Sequence, residues 1–456
     1  SGIGVACRLS DRFPDKSLAI LERRETIGGT WDLFRYPGIR SDSDMFTYSY
    51  ELRPWDKEDI FGHAATIKDY VAETADAFGV RDKIRFGRKV LSAAWQSADA
   101  TWTVTALDEP SGETEHYTCR FLIACTGYYD YAKGFTPDFP GMDNYGGSLV
   151  HPQHWPEDLD YSGKRVVVIG SGATAATLVP AMAKTAGHVT IVQRSPSYVF
   201  SFPSRELLFR PLRWLLPGTT AMRLLRKRNL RMQYSIYNAC RRWPQLMRRF
   251  LLWRVRRAIG PDVDMRHFTP RYGPWDERLC VLPDNDLFES LRSGDASVVT
   301  SEIESFTRDG LRLTSGEELK ADIVVSATGF NLRAFGDIAV SVDGKPCAPN
   351  ERMIYKGVLV EGIPNLAAIF GSINFTWTTK VDLASAWLCR LFELLDERGA
   401  DVAVARDDGT HAIDDNIMNQ LQSGYVRRGG DALPRQGSEA PWQVTHDYFS
   451  DRRMLL

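Results

Sequence analysis

Gly170-Ser171-Gly172-Ala173-Thr174-Ala175 follows the β-branched run Arg165–Ile169 and precedes a helical stretch, Ala176 to Ala183. A second β-branched run, His188–Val192, comes next. The first glycine permits a tight turn, and the second lets backbone approach a pyrophosphate. A small third residue lets the helix pack on the strand, with its N-terminus facing the phosphates. The chemistry implied is dinucleotide binding. Gln193-Arg194-Ser195 closes the unit without a carboxylate. An arginine there suits a 2′-phosphate, which favours NADP over NAD.

A second unit of the same kind is expected at the start of the chain. Gly2 stands where the last glycine of a fingerprint would, with a helix through Leu9, and Ser17–Leu21 is the strand after it. Glu22 lies 20 residues beyond Gly2, the place of a carboxylate that binds a ribose 2′-hydroxyl, as in FAD or NAD. The opening strand and earlier glycines are expected upstream of residue 1, so the chain reads as N-terminally truncated and as a weakened FAD binder. Phe121–Gly127 and Asp322–Gly329 rhyme as short buried strands ending in Thr-Gly, each placed where a nucleotide domain would finish.

The elements that must position these groups imply an α/β fold with two dinucleotide-binding, Rossmann-like domains, one for FAD and one for NADP, and a helical insertion. The expected division is residues 1–146 and 331–456 for FAD, 147–200 and 271–330 for NADP, and 201–270 for the insertion. That insertion carries 16 Lys+Arg against Glu206, Asp262 and Asp264. Its net charge is +13, which leaves −15 for the rest of a chain whose total is −2. Met247, Phe250, Leu251, Val255 and Ala258 recur at helical spacing, with the arginines mostly off that stripe. A helical cap with a solvated basic face is the expectation, and peripheral contact with a membrane surface is the alternative.

The chain has 456 residues, 43% hydrophobic and 25% charged, with a mean hydropathy of −0.28. This excludes collagen-like, disordered and small disulfide-stapled classes. No apolar run reaches the roughly 18 residues of a membrane span, and the net charge gives no whole-protein field toward nucleic acid. Seven cysteines share no Cys-x-x-Cys spacing, which suits a reducing, cytoplasmic compartment. His151 and His154 have no Cys or Glu at ligand spacing, so no metal site is expected.

Tyr145-Gly146-Gly147-Ser148-Leu149-Val150-His151-Pro152-Gln153-His154-Trp155-Pro156 resembles the fingerprint of Baeyer–Villiger monooxygenases, with Tyr145 in place of a phenylalanine. Gly28-Gly29-Thr30-Trp31 and Arg35–Asp42 look like the flavin-side segment of that family. Gly273–Cys280 looks like the active-site arginine segment of its thioamide-oxidising branch, and the resemblance continues to Gln436–Trp442.

The resemblance implies FAD and NADPH as cofactors. It puts Ser1 and Gly2 at the FAD pyrophosphate, Glu22 on its ribose, Thr30, Trp31, Asp32 and Leu33 beside the flavin, and Val90 at the adenine. It puts Asp42 near flavin and nicotinamide, with Arg40 and Ser41 beside NADP. Gly170, Ser171, Gly172, Ala173, Thr174, Ala175, Gln193 and Arg194 would hold the rest of NADP. Asn374–Thr379 would close over the flavin ring. Arg278 and Asp42 are the implied catalytic residues. Arginine stays charged at any working pH and can stabilise developing negative charge. On residues alone, Arg278 could equally pair with Asp276 or Glu277 on a surface loop. Glu277 stands where relatives often have a lysine for the 2′-phosphate, which throws more of that task on Arg194.

The expected reaction is insertion of one oxygen of O2 beside a ketone carbonyl, giving an ester or lactone, with sulfoxidation of thioethers or thioamides as a second activity. The alternative is a flavin monooxygenase that oxidises only S or N. A disulfide reductase would need a redox cysteine pair after Gly28-Gly29, and none is there. A purely basic binding module would leave both glycine turns unexplained.

Overall fold

The computed structural model describes residues 1–456. Its central sheet is five-stranded and wholly parallel, in the order Ser148–Val150, Ile323–Ser326, Arg165–Ile169, His188–Gln193, Ala296–Thr300. Val166, Val168, Val189, Ile191 and Val325 send their side chains into one core, with Leu178, Val179 and Met182 of the helix Ala173–Met182. Alternate residues Val167, Ile169 and Val324 face the opposite side. There they pack under a three-stranded antiparallel meander, Ile303–Thr307, Gly310–Leu313 and Glu318–Lys320. Burial on both faces is why these strands read as unbroken β-branched runs.

The basic insertion leaves and returns at one place. Val199–Phe202 pairs in parallel with Cys280–Pro283. Between them run the helices Phe209–Leu215, Gly218–Arg242 and Pro244–Ile259. On the last helix Leu251, Val255 and Ile259 form the buried stripe. Phe250, in the same helical-spacing stripe of the sequence, faces solvent.

The other half of the molecule combines both ends of the chain. The helix Gly2–Arg12, three residues longer than expected, packs along Trp377–Arg398. A mixed sheet joins Lys345–Cys347, Ala339–Val342, Arg88–Gln96, Thr101–Asp108 and Thr114–Cys119. The strand expected over Ser17–Leu21 is only Ile20–Leu21, paired in parallel with Ile84–Arg85. Leu122–Ala124 pairs with Leu366–Ala368. The free edges of Ile20–Leu21 and Leu122–Ala124 both border the main cavity, and no strand joins them. No helix is long and apolar enough to cross a membrane.

The Tyr145–Pro156 segment ties the two halves together. The Tyr145 hydroxyl donates to the Ala321 carbonyl at 3.0 Å, so the extra oxygen of this tyrosine is satisfied. His151 Nε2 bonds the Gly329 carbonyl at 3.2 Å, and its Nδ1 accepts from the Gln153 amide at 3.1 Å. Both nitrogens are thus occupied by backbone.

Candidate active site

A cavity of about 2100 Å³ runs between the two halves. Pockets for one small ligand are roughly 300–1,000 Å³, so this one has room for more than one molecule. At its first end lie Ser1 and Gly2, at the start of the helix Gly2–Arg12, and Glu22, just past Leu21. Burial pushes the Glu22 carboxyl up, opposed by the Arg24 amide that donates to it at 2.9 Å. Gly28 and Gly29 have φ of +137° and +54° and lead into the short helix Thr30–Leu33. Val90 sits at a bulge that interrupts its strand ladder before Ser92, and it lines the cavity.

Asp32 is buried, and its side chain is committed within the protein. Arg24 Nε donates to it at 2.7 Å and Lys68 Nζ at 2.5 Å. Burial alone would raise this carboxyl, but the Lys68 and Arg24 hydrogen bonds hold it below its ordinary value. Asp32 thus shapes the wall rather than offering a free carboxylate. Arg40 likewise pairs with Asp286 at 2.8 Å while lining the cavity. Ser41 is buried, and its hydroxyl accepts from the Ser43 amide at 3.1 Å.

Gly172, Ala173 and Thr174 bring the N-terminus of the helix Ala173–Met182 to the cavity wall. Gly170, Ser171 and Ala175 lie one layer back, around a void of about 20 Å³. Gln193 belongs to that layer too. It is buried, and its Nε2 donates to the His267 carbonyl at 2.7 Å and to Thr300 at 3.0 Å. Its side chain braces the strand end and does not reach the main cavity. Arg194 is exposed outside the cavity rim, close enough to Glu277 and Arg428 to affect their ionisation.

Arg278 and Asp42 meet in the middle. Arg278 Nη2 stands 4.0 Å from Asp42 Oδ1. The Arg278 side chain is 43% exposed, yet that exposure is to the cavity it lines. The Asp42 carboxylate favours the Arg278 cation more than burial disfavours it. Asp276 is taken instead by Arg241 at 3.0 Å and by the Gly273 amide at 2.8 Å. The surface-loop pairing of Arg278 with Asp276 therefore does not form.

The tyrosines around this pair escaped the sequence reading. Tyr128, Tyr129, Tyr48 and Tyr425 line the cavity with Phe330 and Trp377. The Tyr128 and Tyr129 hydroxyls are 3.1 Å apart, and the Tyr128 ring lies 5.3 Å from Trp377. Burial pushes the Tyr48 phenol up to about 12, against the Trp31 Nε1–H that donates to it at 2.6 Å. These phenols stay protonated and can donate. One signal for them was available, since Tyr128-Tyr129 directly follows the Thr126-Gly127 already singled out. The segment Asn374–Thr379 also sits here. Trp377 Nε1 donates to Ser1 Oγ at 2.8 Å, and Thr376 shares a hydrogen bond with Thr47 at 2.6 Å.

The residues present fit two dinucleotides. Each end offers a helix N-terminus free of side chains at its glycine, and one end adds a strand-end carboxylate. Arg278 adds a permanent cation to the same lining, together with Tyr48, Tyr128, Tyr129 and Tyr425.

Residues 39–216 match the flavin-binding monooxygenase-like family. MymA of Mycobacterium tuberculosis, whose name describes an FAD-containing monooxygenase, is 55% identical over 100% of this chain and 93% of its own length. The FAD-containing monooxygenase EthA of the same organism is 46% identical, over 100% and 93%. Among solved structures, an oxidised steroid monooxygenase bound to NADP superposes with a TM-score of 0.78 at 20% identity. It covers 100% of this chain and 94% of that one, and shares the fold.

Proposed function

The chain belongs to the flavin-binding monooxygenase-like family, and from that membership we propose that it inserts one oxygen atom of O2 beside a ketone carbonyl. It is an enzyme, an FAD-containing monooxygenase that uses NADP(H). In the proposed reaction, ketone, O2, NADPH and a proton give ester or lactone, NADP+ and water. We read residues 1–146 and 331–456 as the half that holds FAD. Residues 147–200 and 271–330 are the half that holds NADP, with 201–270 inserted.

FAD supplies the oxygen activation when bound, with electrons from NADPH. The protein's own residues bind, orient and exclude water. The observation that carries the reading is Arg278, a permanent cation held 4.0 Å from Asp42 inside a cage of phenols. An attacked carbonyl gathers negative charge on its oxygen. A cation fixed in a water-poor site stabilises that charge without reorganising. Asp42 keeps Arg278 in place, and the protonated Tyr128 and Tyr129 can add hydrogen bonds. Glu22 and the Gly2 backbone are assigned to FAD, and Gly172–Thr174 with Arg194 to NADP.

The test is product analysis of the FAD-loaded enzyme with NADPH, labelled O2 and a panel of ketones and thioethers. Label in an ester or lactone supports the proposal. NADPH use stimulated by thioethers alone, with labelled sulfoxide and no ester, would move the assignment to sulfur oxidation.

A further inference from the structure

We propose that the helix Pro244–Ile259 docks this protein on an anionic phospholipid surface. The helix has two apolar faces. Leu251, Val255 and Ile259 are buried in the protein. On the opposite side Trp243, at the N-cap, begins a second stripe with Leu246, Phe250 and Trp253, three and four residues apart. These four are 55%, 63%, 40% and 53% exposed. Phe250 and Trp253 lie together, with ring centroids 6.2 Å apart. A helix that has already buried one face has no folding reason to carry tryptophans on the other.

The charge beside the stripe says what covers it. Arg242, Arg249, Arg256 and Arg257 are exposed on the same helix or at its start. Arg241, just outside, finds a carboxylate in Asp276, but none of these four forms an ion pair. Arg242 and Arg257 instead lie over the Trp243 and Trp253 rings, at 5.6 and 5.9 Å. Tryptophan, leucine and phenylalanine on one stripe, flanked by unpaired arginines, suit a helix lying in the plane of an anionic headgroup layer.

A second copy of the chain fits less well. A two-fold contact through this face would set arginine against arginine. A head-to-tail contact needs a complementary apolar patch elsewhere. Nine of the fifteen exposed large hydrophobic residues fall between Leu207 and Trp253, and the other six are scattered.

The proposal is independent of the reaction assigned above. Its test is flotation of the FAD-loaded full chain with vesicles of equal parts phosphatidylglycerol and phosphatidylcholine, compared with pure phosphatidylcholine. Two variants accompany it, W243S/L246S/F250S/W253S and R249E/R256E/R257E. Every substituted side chain is exposed, so flavin absorbance and basal NADPH oxidation should stay unchanged. The expected result is binding to the anionic vesicles only, weakened by salt and reduced about tenfold or more in each variant. Equal binding to both vesicle types, or no flotation at low salt, overturns the proposal. A dimer seen by light scattering that the apolar variant dissociates would also overturn it, in favour of a second copy.

Discussion

Arg278 and Asp42 reach each other from opposite halves of the chain, their charged atoms 4.0 Å apart. Asp42 lies on the short strand Arg40–Asp44, which follows the turn after Thr30–Leu33. Arg278 stands just before Leu279 and the strand Cys280–Pro283, on which the basic insertion returns. The pair therefore exists only when these two segments, distant in the chain, pack together. A cation assembled in this way can be removed without unfolding either half.

Replacing Arg278 with alanine should leave FAD bound and NADPH still able to reduce it. Oxygenated product should fall by about 10²–10³ in kcat, the usual effect of removing a fixed donor from developing negative charge. Lysine should recover only part of this, because a point charge on a flexible stem does not reproduce the planar fork. Single-turnover flavin reduction and product yield, measured separately, check the prediction. Parallel loss of both would instead mean that Arg278 holds the cofactor.

Arg194 should set the preference for NADPH. It is exposed, makes no ion pair and sits just past the strand His188–Gln193. Arg194→Ala should raise the KM for NADPH about tenfold or more, the worth of one charge-assisted hydrogen bond, and leave NADH nearly unchanged. Glu277 should act the other way. Its carboxyl, raised by burial and lowered by Arg427 and Arg194, competes with a phosphate for those cations. Glu277→Gln should therefore lower the KM for NADPH. Equal changes for both cofactors in either variant would place the selectivity elsewhere.

Much of this was legible in the residues, and the gaps have physical causes. The parallel sheet was readable because both of its faces are buried, so Arg165–Ile169 and His188–Gln193 carry β-branched residues without interruption. The glycine turn was readable because its backbone geometry constrains residue type. Gln193 was assigned to the cofactor from its position in a motif, yet it braces the loop at His267, since nothing local reveals which way a strand-end amide points. The tyrosine cage was missed because Tyr48, Tyr128 and Tyr425 are brought together only by tertiary packing. Phe250 shares a helical-spacing stripe with Leu251 and Val255 yet faces solvent, because period alone cannot separate a helix with one apolar face from a helix with two.

Acid should weaken the clamp on the Asn374–Thr379 segment through His446. Burial lowers this imidazole to about 4. Its Nδ1 accepts from the Ile373 amide at 3.4 Å, and its Nε2 bonds the Ile417 carbonyl. Lys380 nearby disfavours the cation further, while Asp451, paired with Lys380 at 2.7 Å, favours it. A folded value below the ordinary 6.5 means the unfolded chain binds the extra proton first. The neutral ring's contribution is complete above about pH 6.5 and is lost as pH falls toward about 4, roughly 3 kcal/mol in all. His446→Gln should flatten the fall of Tm across that window. An unchanged acid limb would assign it to other groups.

The two glycines of the second turn should fail in different ways. Gly170 has φ of +137°, and a Cβ there would stand 2.4 Å from the Ala327 carbonyl oxygen. Its amide also donates to Val192 at 2.9 Å, so the backbone cannot swing aside without breaking the sheet edge. Gly170→Ala should therefore cost about 1–3 kcal/mol of stability, read as a lower Tm with or without NADPH. Gly172 caps the helix Ala173–Met182, has an extended φ of −83°, and a Cβ there would meet nothing within 4 Å. The protein gives no reason for glycine at this place. The room it leaves faces the cavity at a helix N-terminus, where a pyrophosphate would approach the amides. Gly172→Ala should thus keep the parent Tm and its FAD absorbance while raising the KM for NADPH on the order of tenfold, the loss of one hydrogen bond to a charged group. If Gly172→Ala takes NADPH as tightly as the parent, the phosphates do not lie over this turn, and the assignment of Gly172, Ala173 and Thr174 to NADP fails with it.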